Sequence, residues 1–339
     1  MPVIGLTGNY GMGKTTALRL FREEGATTLN LDNIVDELLH EDHVLAGIKK
    51  IMGETVFSGK ELNRSRVAEI IFTDKEKRDQ LEGLIHPLVI RKMRDFLKNI
   101  DQEKIIIVEI PLLFEKGYEG EFDKTITVYT DTETAMMRLE RKGIGRDEAI
   151  RRLTAQMPIE EKIRKADFVI NNNGTIDDTK RQVHEIYEKL KSSIIKDLIC
   201  HGRVREASLI LGRPYEIKGT VIRGKGRGAR LLNIPTANIE TCDPIPAEGV
   251  YVVKVDLDDR TYGGVMNIGK NPTFGEDSVS LEVHILDFSG DLLGSTIRIQ
   301  FIERLRPEKK FSEIEELKES ILNDIDSARK ILGGSTKDR

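Results

Sequence analysis

The sequence predicts two domains of different fold class, an α/β domain followed by an all-β domain. Up to about residue 190, short apolar runs alternate with helical stretches, which is typical of a parallel sheet with helices on both faces. Beyond residue 212, alternating segments separated by Gly, Pro, Asn and Asp indicate an antiparallel barrel or sandwich. The 339 residues suffice for two hydrophobic cores.

Five apolar runs in the first half are predicted strands. Charged segments with apolar residues three and four positions apart are predicted helices between them. The strands are residues 3–6, 28–31, 105–110, 125–129 and 168–170, and the clearest helices are 89–97 and 179–190. We expect this α/β domain to cover residues 1–192.

Five alternating segments and one amphipathic helix are predicted for the second half. The segments are residues 216–223, 249–256, 262–268, 279–287 and 295–305, and the helix is 312–331. Apolar residues recur on one face of that helix, as expected for a helix packed on a sheet. We assign residues 193–212 to a helical linker, 213–332 to the second domain and 333–339 to a disordered tail.

The composition indicates an ordinary globular protein of a reducing compartment. A net charge of −4 argues against a broad basic surface for nucleic acid. Cys200 and Cys242 form no CxxC pair, which argues against disulfides and structural zinc. No signal-peptide pattern is present, and no apolar run reaches the roughly 18 residues of a membrane span. We expect a cytoplasmic protein with neither nucleic-acid nor membrane partners; the sequence leaves protein partners unknown.

A glycine-rich loop after the first predicted strand matches the phosphate-binding pattern GxxxxGK[ST]. Its glycines let backbone N–H groups face phosphate oxygens, and the following helix N-terminus adds partial positive charge. Lys14 is suited to hold the β- and γ-phosphates, and the Thr15 hydroxyl to ligate Mg²⁺. The candidate nucleotide-binding residues of this loop are Gly8, Gly11, Met12, Gly13, Lys14, Thr15 and Thr16.

Asp32 ends the second predicted strand, where the carboxyl edge of a parallel sheet forms a nucleotide cleft. A carboxylate there could accept the proton of an attacking hydroxyl. Alternatively, Asp32 could be the N-cap of a helix that starts near Ile34. Further along, residues 138–152 form a cationic stretch that fits either a solvated helix face or a mobile lid over phosphates.

Residues 3 to about 190 resemble the dephospho-CoA kinase family, which transfers phosphate from ATP to the ribose 3′-hydroxyl of dephospho-CoA. The resemblance is carried, in order, by residues 6–16, 29–32, 64–72, 84–88, 111–115 and 166–172. It implies a lid near residues 140–155. The family often has a further acid where this chain has Asn30, and we expect activity with slightly altered Mg²⁺ handling.

The same resemblance implies roles for individual residues of the first half. Asp32 would be the general base and act together with Lys14, and both would be catalytic. Arg146 and Asn172 would contact ATP. The residues implied in binding the acceptor substrate are Arg64 and His86.

A second glycine-rich segment, residues 224–228, interleaves glycines with basic residues. By itself it fits either a flexible hairpin or a loop that folds over phosphates. Thr236 and Asn238 would share one face of an extended segment, and hydroxyl and amide oxygens can ligate Mg²⁺. Alternatively, residues 235–238 only terminate a strand.

Glu282 lies in an alternating segment in which it shares one face with His284. Leu281, Val283 and Ile285 take the other face. An acid that faces a barrel mouth could deprotonate a substrate alcohol. An ordinary outward-facing strand carboxylate is the alternative interpretation.

Residues from about 200 to 331 resemble the riboflavin kinase family, which transfers the ATP γ-phosphoryl group to the 5′-hydroxyl of riboflavin to give FMN. The matching stretches are 211–215, 219–222, 224–238, 249–251, 267–273, 281–284 and 305–311. The resemblance implies a six-stranded antiparallel β-barrel with a C-terminal helix. The implied site residues are Gly224, Gly226, Arg227 and Gly228 for ATP, Thr236 and Asn238 for Mg²⁺, Glu282 as base and Arg306 for the substrate.

Together the two resemblances predict a bifunctional kinase that uses ATP and Mg²⁺ and acts on dephospho-CoA and riboflavin. The alternative is that one half is catalytic and the other is a nucleotide- or flavin-sensing module. Residues 202–215 also resemble the stretch that precedes the kinase module of bifunctional FAD synthetases. The sequence has no HIGH-like nucleotidyl-transfer motif, so FAD synthesis is not predicted.

Overall fold

A computed structural model describes residues 2–59, 61–100, 105–224, 234–270, 279–309, 311 and 313–334. The chain forms two compact units, Met1–Lys189 and Leu190–Arg339. The functional boundaries expected at residues 192 and 212 stay a prediction. Among the described residues, no helix is long and apolar enough to cross a membrane.

The first unit has helices and strands in alternation, as the apolar pattern predicts. Its strands are β1 (Val3–Thr7), β2 (Thr27–Asn30), β3 (Phe57–Ser58), β4 (Glu61–Leu62), β5 (Ile106–Glu109), β6 (Lys124–Tyr129) and β7 (Phe168–Asn171). Its helices are α1 (Lys14–Glu23), α2 (Leu31–Leu38), α3 (Asp42–Met52), α4 (Arg64–Thr73), α5 (Lys75–Asn99), α6 (Thr132–Arg141), α7 (Arg146–Thr154), α8 (Ile159–Lys165) and α9 (Ile176–Cys200), the last of which continues into the second unit.

The main sheet of the first unit has the strand order β2-β5-β1-β6-β7, and every neighbouring pair is parallel. Strand β5 is buried along its whole length, because helices cover both faces of a parallel sheet. Its register aligns Glu109 with Leu6 on one side and with Asn30 on the other. The ends of β1, β2 and β5 therefore meet at one edge of the sheet.

The boundary between β2 and α2 differs from the sequence prediction. The strand ends at Asn30 and the helix begins at Leu31, whereas the sequence predicted a strand through residue 31 and a helix from near Ile34. The Asn30 side chain accepts a hydrogen bond from the Asp32 amide at 2.8 Å and is therefore the N-cap. Asp32 lies in the first turn of α2 instead of at a strand end, and its interpretation as the N-cap is wrong.

The second unit is a closed six-stranded antiparallel barrel with a C-terminal helix. Its strand order is β10-β11-β12-β9-β8-β13, which confirms the barrel. Its elements after α9 are α10 (Val204–Leu211), β8 (Tyr215–Ile222), β9 (Ala237–Glu240), β10 (Gly249–Leu257), β11 (Arg260–Lys270), β12 (Val279–Ile285), β13 (Thr296–Arg306) and α11 (Ile314–Gly334). Residues 335–339, most of the expected disordered tail, lie outside the described residues.

Side chains of alternate strand positions fill the barrel interior, as for Val253, Val283 and Phe301, none of which is accessible to solvent. Residues from the expected linker belong to this core as well. Leu198 and Ile199 of α9 and Val204 and Ala207 of α10 pack against it, together with the members just named.

The outer face of strands β10 and β11 is covered by α11. Val250, Val252 and Val265 form a second cluster with Ala328 of the helix. Strand residues two positions apart point outward on this face, and they pack against one side of the helix formed by residues 314–334. The covered outer face supplies one wall of a cavity.

Candidate functional sites

The loop between β1 and α1 has the backbone of a phosphate cradle. Gly8 and Gly13 have φ angles of 150° and 96°, which side chains rarely permit. A Cβ atom on Gly8 would lie 2.2 Å from the Val128 carbonyl oxygen, and one on Gly13 would lie 2.0 Å from the Asn172 side-chain nitrogen. The glycines are therefore required by the conformation, and Gly13 forms the N-cap of α1 without a capping side chain.

Lys14 lies inside this loop with only 9% of its surface exposed. Its ammonium group donates a hydrogen bond to the Asn9 carbonyl oxygen at 3.2 Å. Burial lowers the pKa of Lys14, while the carboxylates of Glu109 and Asp32 oppose that shift. A buried cation between loop amides and two acids is suited to bind a phosphate group.

Glu109, at the end of β5, is a site residue that the sequence analysis missed. It is 2% exposed, accepts the Thr15 hydroxyl at 3.2 Å through Oε1, and accepts the Asn30 amide at 2.9 Å through Oε2. Burial raises its pKa, and Lys14 counteracts the increase. One signal was available, since Glu109 is the single acid in the apolar run 105–110.

Asp32 borders the same cleft, which has a volume of about 530 Å³ and also contains Lys14, Thr15 and Glu109. Desolvation in the cleft raises the pKa of Asp32, and the positive charge of Lys14 lowers it in part. The carboxylate thus stands beside the phosphate loop, where it can take a proton from a hydroxyl group. The predicted proximity of Asp32, Lys14 and Thr15 is present in the structure.

Asn172 also borders the cleft, but both ends of its side-chain amide contact protein atoms. Nδ2 donates to the Met12 carbonyl at 2.9 Å, and Oδ1 accepts the Thr179 hydroxyl at 2.9 Å. Its main-chain carbonyl accepts a hydrogen bond from Arg138 at 3.0 Å. Asn172 therefore supports the back of the phosphate loop in this structure.

The cationic stretch contributes α6 residues to the cleft. Arg138, Arg141 and Lys142 line it. Arg146, the arginine selected from the sequence, begins α7 with its side chain 73% exposed and forms an ion pair with Glu140 at 3.5 Å. Within the described part of the chain, Arg146 is not among the residues that line the cleft.

Arg64 and His86 also lie outside the lining of the phosphate cleft, as far as the described residues show. Arg64 starts α4 and donates to the carboxylate of Asp36 on α2 at 2.5 Å. His86 lies within α5, half-buried, with its ring edge-on to Tyr118 at a centroid distance of 6.1 Å. Both belong to the helical region that adjoins α2.

His86 should make the stability of the first unit depend on pH. Burial lowers the pKa of His86 from its ordinary value of 6.5; the negative charge of Glu82 opposes this shift in part, and the positive charge of Lys116 adds to it. Below pH 6.5 the unfolded chain binds more protons at this position than the folded chain, so stability falls as the pH decreases. Urea unfolding followed by circular dichroism at about pH 7.5 and about pH 5.5 measures this loss, which should shrink in His86→Gln. The exposed His40→Gln is the matched control, and an equal loss in all three proteins would contradict the assignment.

The second candidate site is a cavity of about 370 Å³ between the barrel and α11. Glu282 and His284 of β12 face it, while Leu281, Val283 and Ile285 are buried in the barrel core, as predicted. Burial raises the pKa of Glu282. The alternative of an ordinary solvated carboxylate does not fit this half-buried position.

Thr236, Asn238 and Gly224 lie close to Glu282. Asn238 is the direct cross-strand partner of Glu282 in the β9–β12 pairing, and Thr236 lines the same cavity. A Cβ atom on Gly224 would lie 1.9 Å from the Asn238 side-chain nitrogen, so the start of the glycine-rich loop touches Asn238. Residues 235 and 236 precede β9 and residues 237 and 238 begin it, so the interpretation that this segment ends a strand is wrong.

The other residues of that loop, Gly226, Arg227 and Gly228, lie outside the described residues. The oxygen atoms of Thr236, Asn238 and Glu282 fit Mg²⁺. A hydroxyl, an amide oxygen and a neighbouring carboxylate are hard oxygen donors of the kind that Mg²⁺ prefers, especially when phosphates supply further ligands. Among the described residues, no group of three or more His, Cys, Asp or Glu side chains is arranged so that it could hold a metal ion.

Arg306 also lines the 370 Å³ cavity, but its guanidinium is committed to Asp324 of α11. Nε and Nη2 donate to the carboxylate at 3.1 and 2.8 Å. The two side chains are only 25% and 10% exposed. The pair joins the end of β13 to the helix that forms one cavity wall.

A further cavity of about 510 Å³ shares Thr236 with the first one. Its other lining residues come from the end of β8, from the start of β9 and the residue before Thr236, from β12 and from the turn after β12, and include Ile222 and Phe288. Ile222 lies two residues before Gly224, so this cavity adjoins the start of the glycine-rich loop. The two cavities therefore meet at Thr236.

The parallel sheet, the phosphate loop and the Lys14–Thr15–Glu109 arrangement define the first unit as a kinase of the P-loop class. The chain belongs to the dephospho-CoA kinase family, whose sequence model matches residues 2–178. The model of the riboflavin kinase family matches residues 211–332. Both families are phosphotransferases that act on alcohol groups, so the chain carries two kinase domains.

Relatives of the first half support this assignment. The dephospho-CoA kinase of Aquifex aeolicus is 37% identical over 192 residues, which are 56% of this chain and 98% of that protein. The dephospho-CoA kinase of Listeria monocytogenes is 37% identical over 187 residues, which are 53% and 92% of the two chains. The crystal structure of TT1252 from Thermus thermophilus covers 56% of this chain and 97% of its own, with 35% identity and a TM-score of 0.51.

Proposed function

We propose that the chain is a bifunctional kinase that phosphorylates the ribose 3′-hydroxyl of dephospho-CoA and the 5′-hydroxyl of riboflavin, with ATP as the donor of both reactions. The observation that carries the proposal is shared by the two units. Each has a partly desolvated carboxylate, Asp32 or Glu282, beside a glycine-rich loop and hydroxyl or amide oxygens. The products would be CoA and FMN, and the site of action the cytoplasm.

In the first unit, the loop amides, the N-terminus of α1 and Lys14 would hold the phosphates of ATP. Thr15 would hold Mg²⁺, and its bond to Glu109 fits this role because the hydroxyl donates its proton to Glu109 and keeps its lone pairs for a cation. When bound, Mg²⁺ supplies neutralisation of the charge on the transferring phosphoryl group. Asp32 would accept the proton of the attacking ribose hydroxyl.

In the second unit, the two cavities that meet at Thr236 suggest how donor and acceptor are arranged. Glu282 lines the 370 Å³ cavity, so the acceptor alcohol must reach that cavity to lose its proton. Its walls carry Val250, Val265 and Phe311, which suit a flat aromatic ring system. ATP would then occupy the 510 Å³ cavity beside the start of the glycine-rich loop. Thr236 and Asn238 would hold Mg²⁺, which would neutralise charge on the phosphates.

The Arg306–Asp324 pair provides a prediction for the acceptor cavity. Asp324→Ala leaves Arg306 without its partner in a half-buried wall, and the apparent KM for riboflavin should rise by about tenfold or more. The matched control is Asp287→Ala, which removes an equally bidentate but exposed partner of Arg329 on the same helix. Exposed ion pairs contribute little to stability, so the apparent KM of that variant for riboflavin should stay within about twofold of the wild-type value. Equal KM values in both variants would contradict the assignment.

Assays of ATP consumption with each acceptor test the proposal directly. The purified chain should phosphorylate dephospho-CoA when riboflavin is absent, and riboflavin when dephospho-CoA is absent. Turnover with only one acceptor, together with flavin or nucleotide binding by the inactive unit, would favour the alternative in which one half is a sensor. Titration followed by flavin fluorescence separates binding from turnover.

A further inference from the structure

Asn30 uses both ends of its side-chain amide at the edge of the main sheet. Oδ1 accepts the backbone N–H of Asp32 at 2.8 Å. Nδ2 donates to Oε2 of Glu109 at 2.9 Å. One side chain thus connects the helix turn that carries the proposed base with the acid that holds Thr15.

An amide side chain satisfies both of these partners. The Asp32 amide needs an acceptor, which a carboxylate or a hydroxyl could also provide. The Glu109 carboxylate needs a donor, which a carboxylate cannot provide when it is ionised. Asparagine offers both functions in one side chain of this length.

The bond to Asn30 also fixes the orientation of Glu109. Oε1 of Glu109 accepts the Thr15 hydroxyl at 3.2 Å, and Oε2 accepts Asn30, so each carboxylate oxygen has its own donor. With 2% of its surface exposed, Glu109 has little access to water as a replacement donor. Loss of the Asn30 donor would leave an unsatisfied oxygen in a buried site.

We propose that Asn30 is a positioning residue of the first kinase site: it sets the Glu109 carboxylate against Thr15 and the Asp32 turn against the phosphate loop. The role in catalysis rests on the reaction proposed above. The competing interpretation is that Asn30 serves only as the N-cap of α2. Asp, Ser and Asn are close to equivalent as N-caps, so substitutions can separate the two interpretations.

Three variants of this network and one control make the test. Asn30→Ser keeps a capping group and removes the donor, while Asn30→Asp keeps the cap and places a carboxylate against Glu109. In the double variant Asn30→Asp with Glu109→Gln, the side chain at position 109 donates and the side chain at position 30 accepts. The double variant has the same net charge as the wild type. Asn63→Asp is the matched control, because Asn63 caps α4 by accepting the Arg66 amide at 3.1 Å.

We would measure kcat and KM for dephospho-CoA phosphorylation and the affinity for ATP without Mg²⁺. Riboflavin phosphorylation by the same chain is the internal reference. Asn30→Ser should lower kcat by about tenfold or more with Mg²⁺-free ATP affinity near that of the wild type, because no charge is added. Asn30→Asp should lower kcat as much and weaken Mg²⁺-free ATP binding. The double variant should recover that ATP affinity and part of kcat, and riboflavin turnover should be constant throughout.

The proposal is overturned if Asn30→Ser and Asn30→Asp both match Asn63→Asp, since Asn30 is then only a cap. It is also overturned if the double variant binds Mg²⁺-free ATP no better than Asn30→Asp. The affinity measurement needs no acceptor. A wild type that binds ATP but does not phosphorylate dephospho-CoA would therefore refute the proposed reaction and still leave the role of Asn30 measurable.

Discussion

Replacement of Asp32 by Asn is expected to lower the rate of dephospho-CoA phosphorylation by about 10²- to 10⁴-fold. The substitution keeps the size of the side chain and the first turn of α2 but removes the carboxylate that we place to take the proton of the acceptor. ATP affinity should change little, because Lys14 and the loop amides remain. A coupled assay of ADP release with dephospho-CoA, at saturating ATP, measures the effect.

Asp42→Asn is the control for this prediction, because Asp42 is an exposed acid in the first turn of the neighbouring helix α3. Its activity should equal that of the wild type. If Asp32→Asn kept more than about a tenth of the wild-type kcat, Asp32 would not be the general base. The acceptor hydroxyl would then lose its proton to another group or to water.

Replacement of Glu282 by Gln should have an effect of the same size on riboflavin phosphorylation. Glu282 is half-buried, pairs across the strands with Asn238 and lines the 370 Å³ cavity together with Thr236, so it is placed to take the proton of an alcohol bound there. We expect kcat to fall by about 10²- to 10⁴-fold with retained riboflavin binding. FMN formation and the quenching of flavin fluorescence report the two quantities separately.

Glu240→Gln is the matched control, since Glu240 is an exposed strand carboxylate of β9 in the same barrel. It should leave FMN formation unchanged. Loss of riboflavin binding in Glu282→Gln, with a normal rate at saturation, would indicate a residue that binds the substrate instead of a base.

Much of the fold could be predicted because periodicity reports burial directly. The apolar run of β5 is continuous since helices cover both faces of its sheet, and the alternation in β12 reflects a core side and a cavity side. The end of β2 was predicted wrongly because hydrophobicity does not reveal a capping bond. The Asn30 side chain starts α2 earlier than the apolar pattern suggests.

The sites were predictable where the chemistry lies within one motif. Lys14 and Thr15 follow from the loop sequence, but their partner Glu109 is 94 residues from Thr15 and is brought there by the β1–β5 register. In the same way, Arg306 meets Asp324 through the packing of α11 on the barrel. The sequence marks Glu109 as an isolated acid in an apolar run, but it does not show which residues Glu109 and Arg306 contact.

The sequence did not distinguish Arg146 from the basic residues around it. Several arginines and lysines follow one another in residues 138–152, and the charge pattern does not indicate which of them face the cleft. In the structure the lining residues Arg138, Arg141 and Lys142 come from α6 and its end, while Arg146 pairs with Glu140. The roles of these residues in ATP binding remain a prediction.

One crossed assay shows whether the chain contains two independent kinase sites. Wild type, Asp32→Asn and Glu282→Gln are each assayed for phosphorylation of dephospho-CoA and of riboflavin. We expect Asp32→Asn to lose only the first activity and Glu282→Gln to lose only the second. Loss of both activities in either variant, or of neither in both, would contradict this expectation.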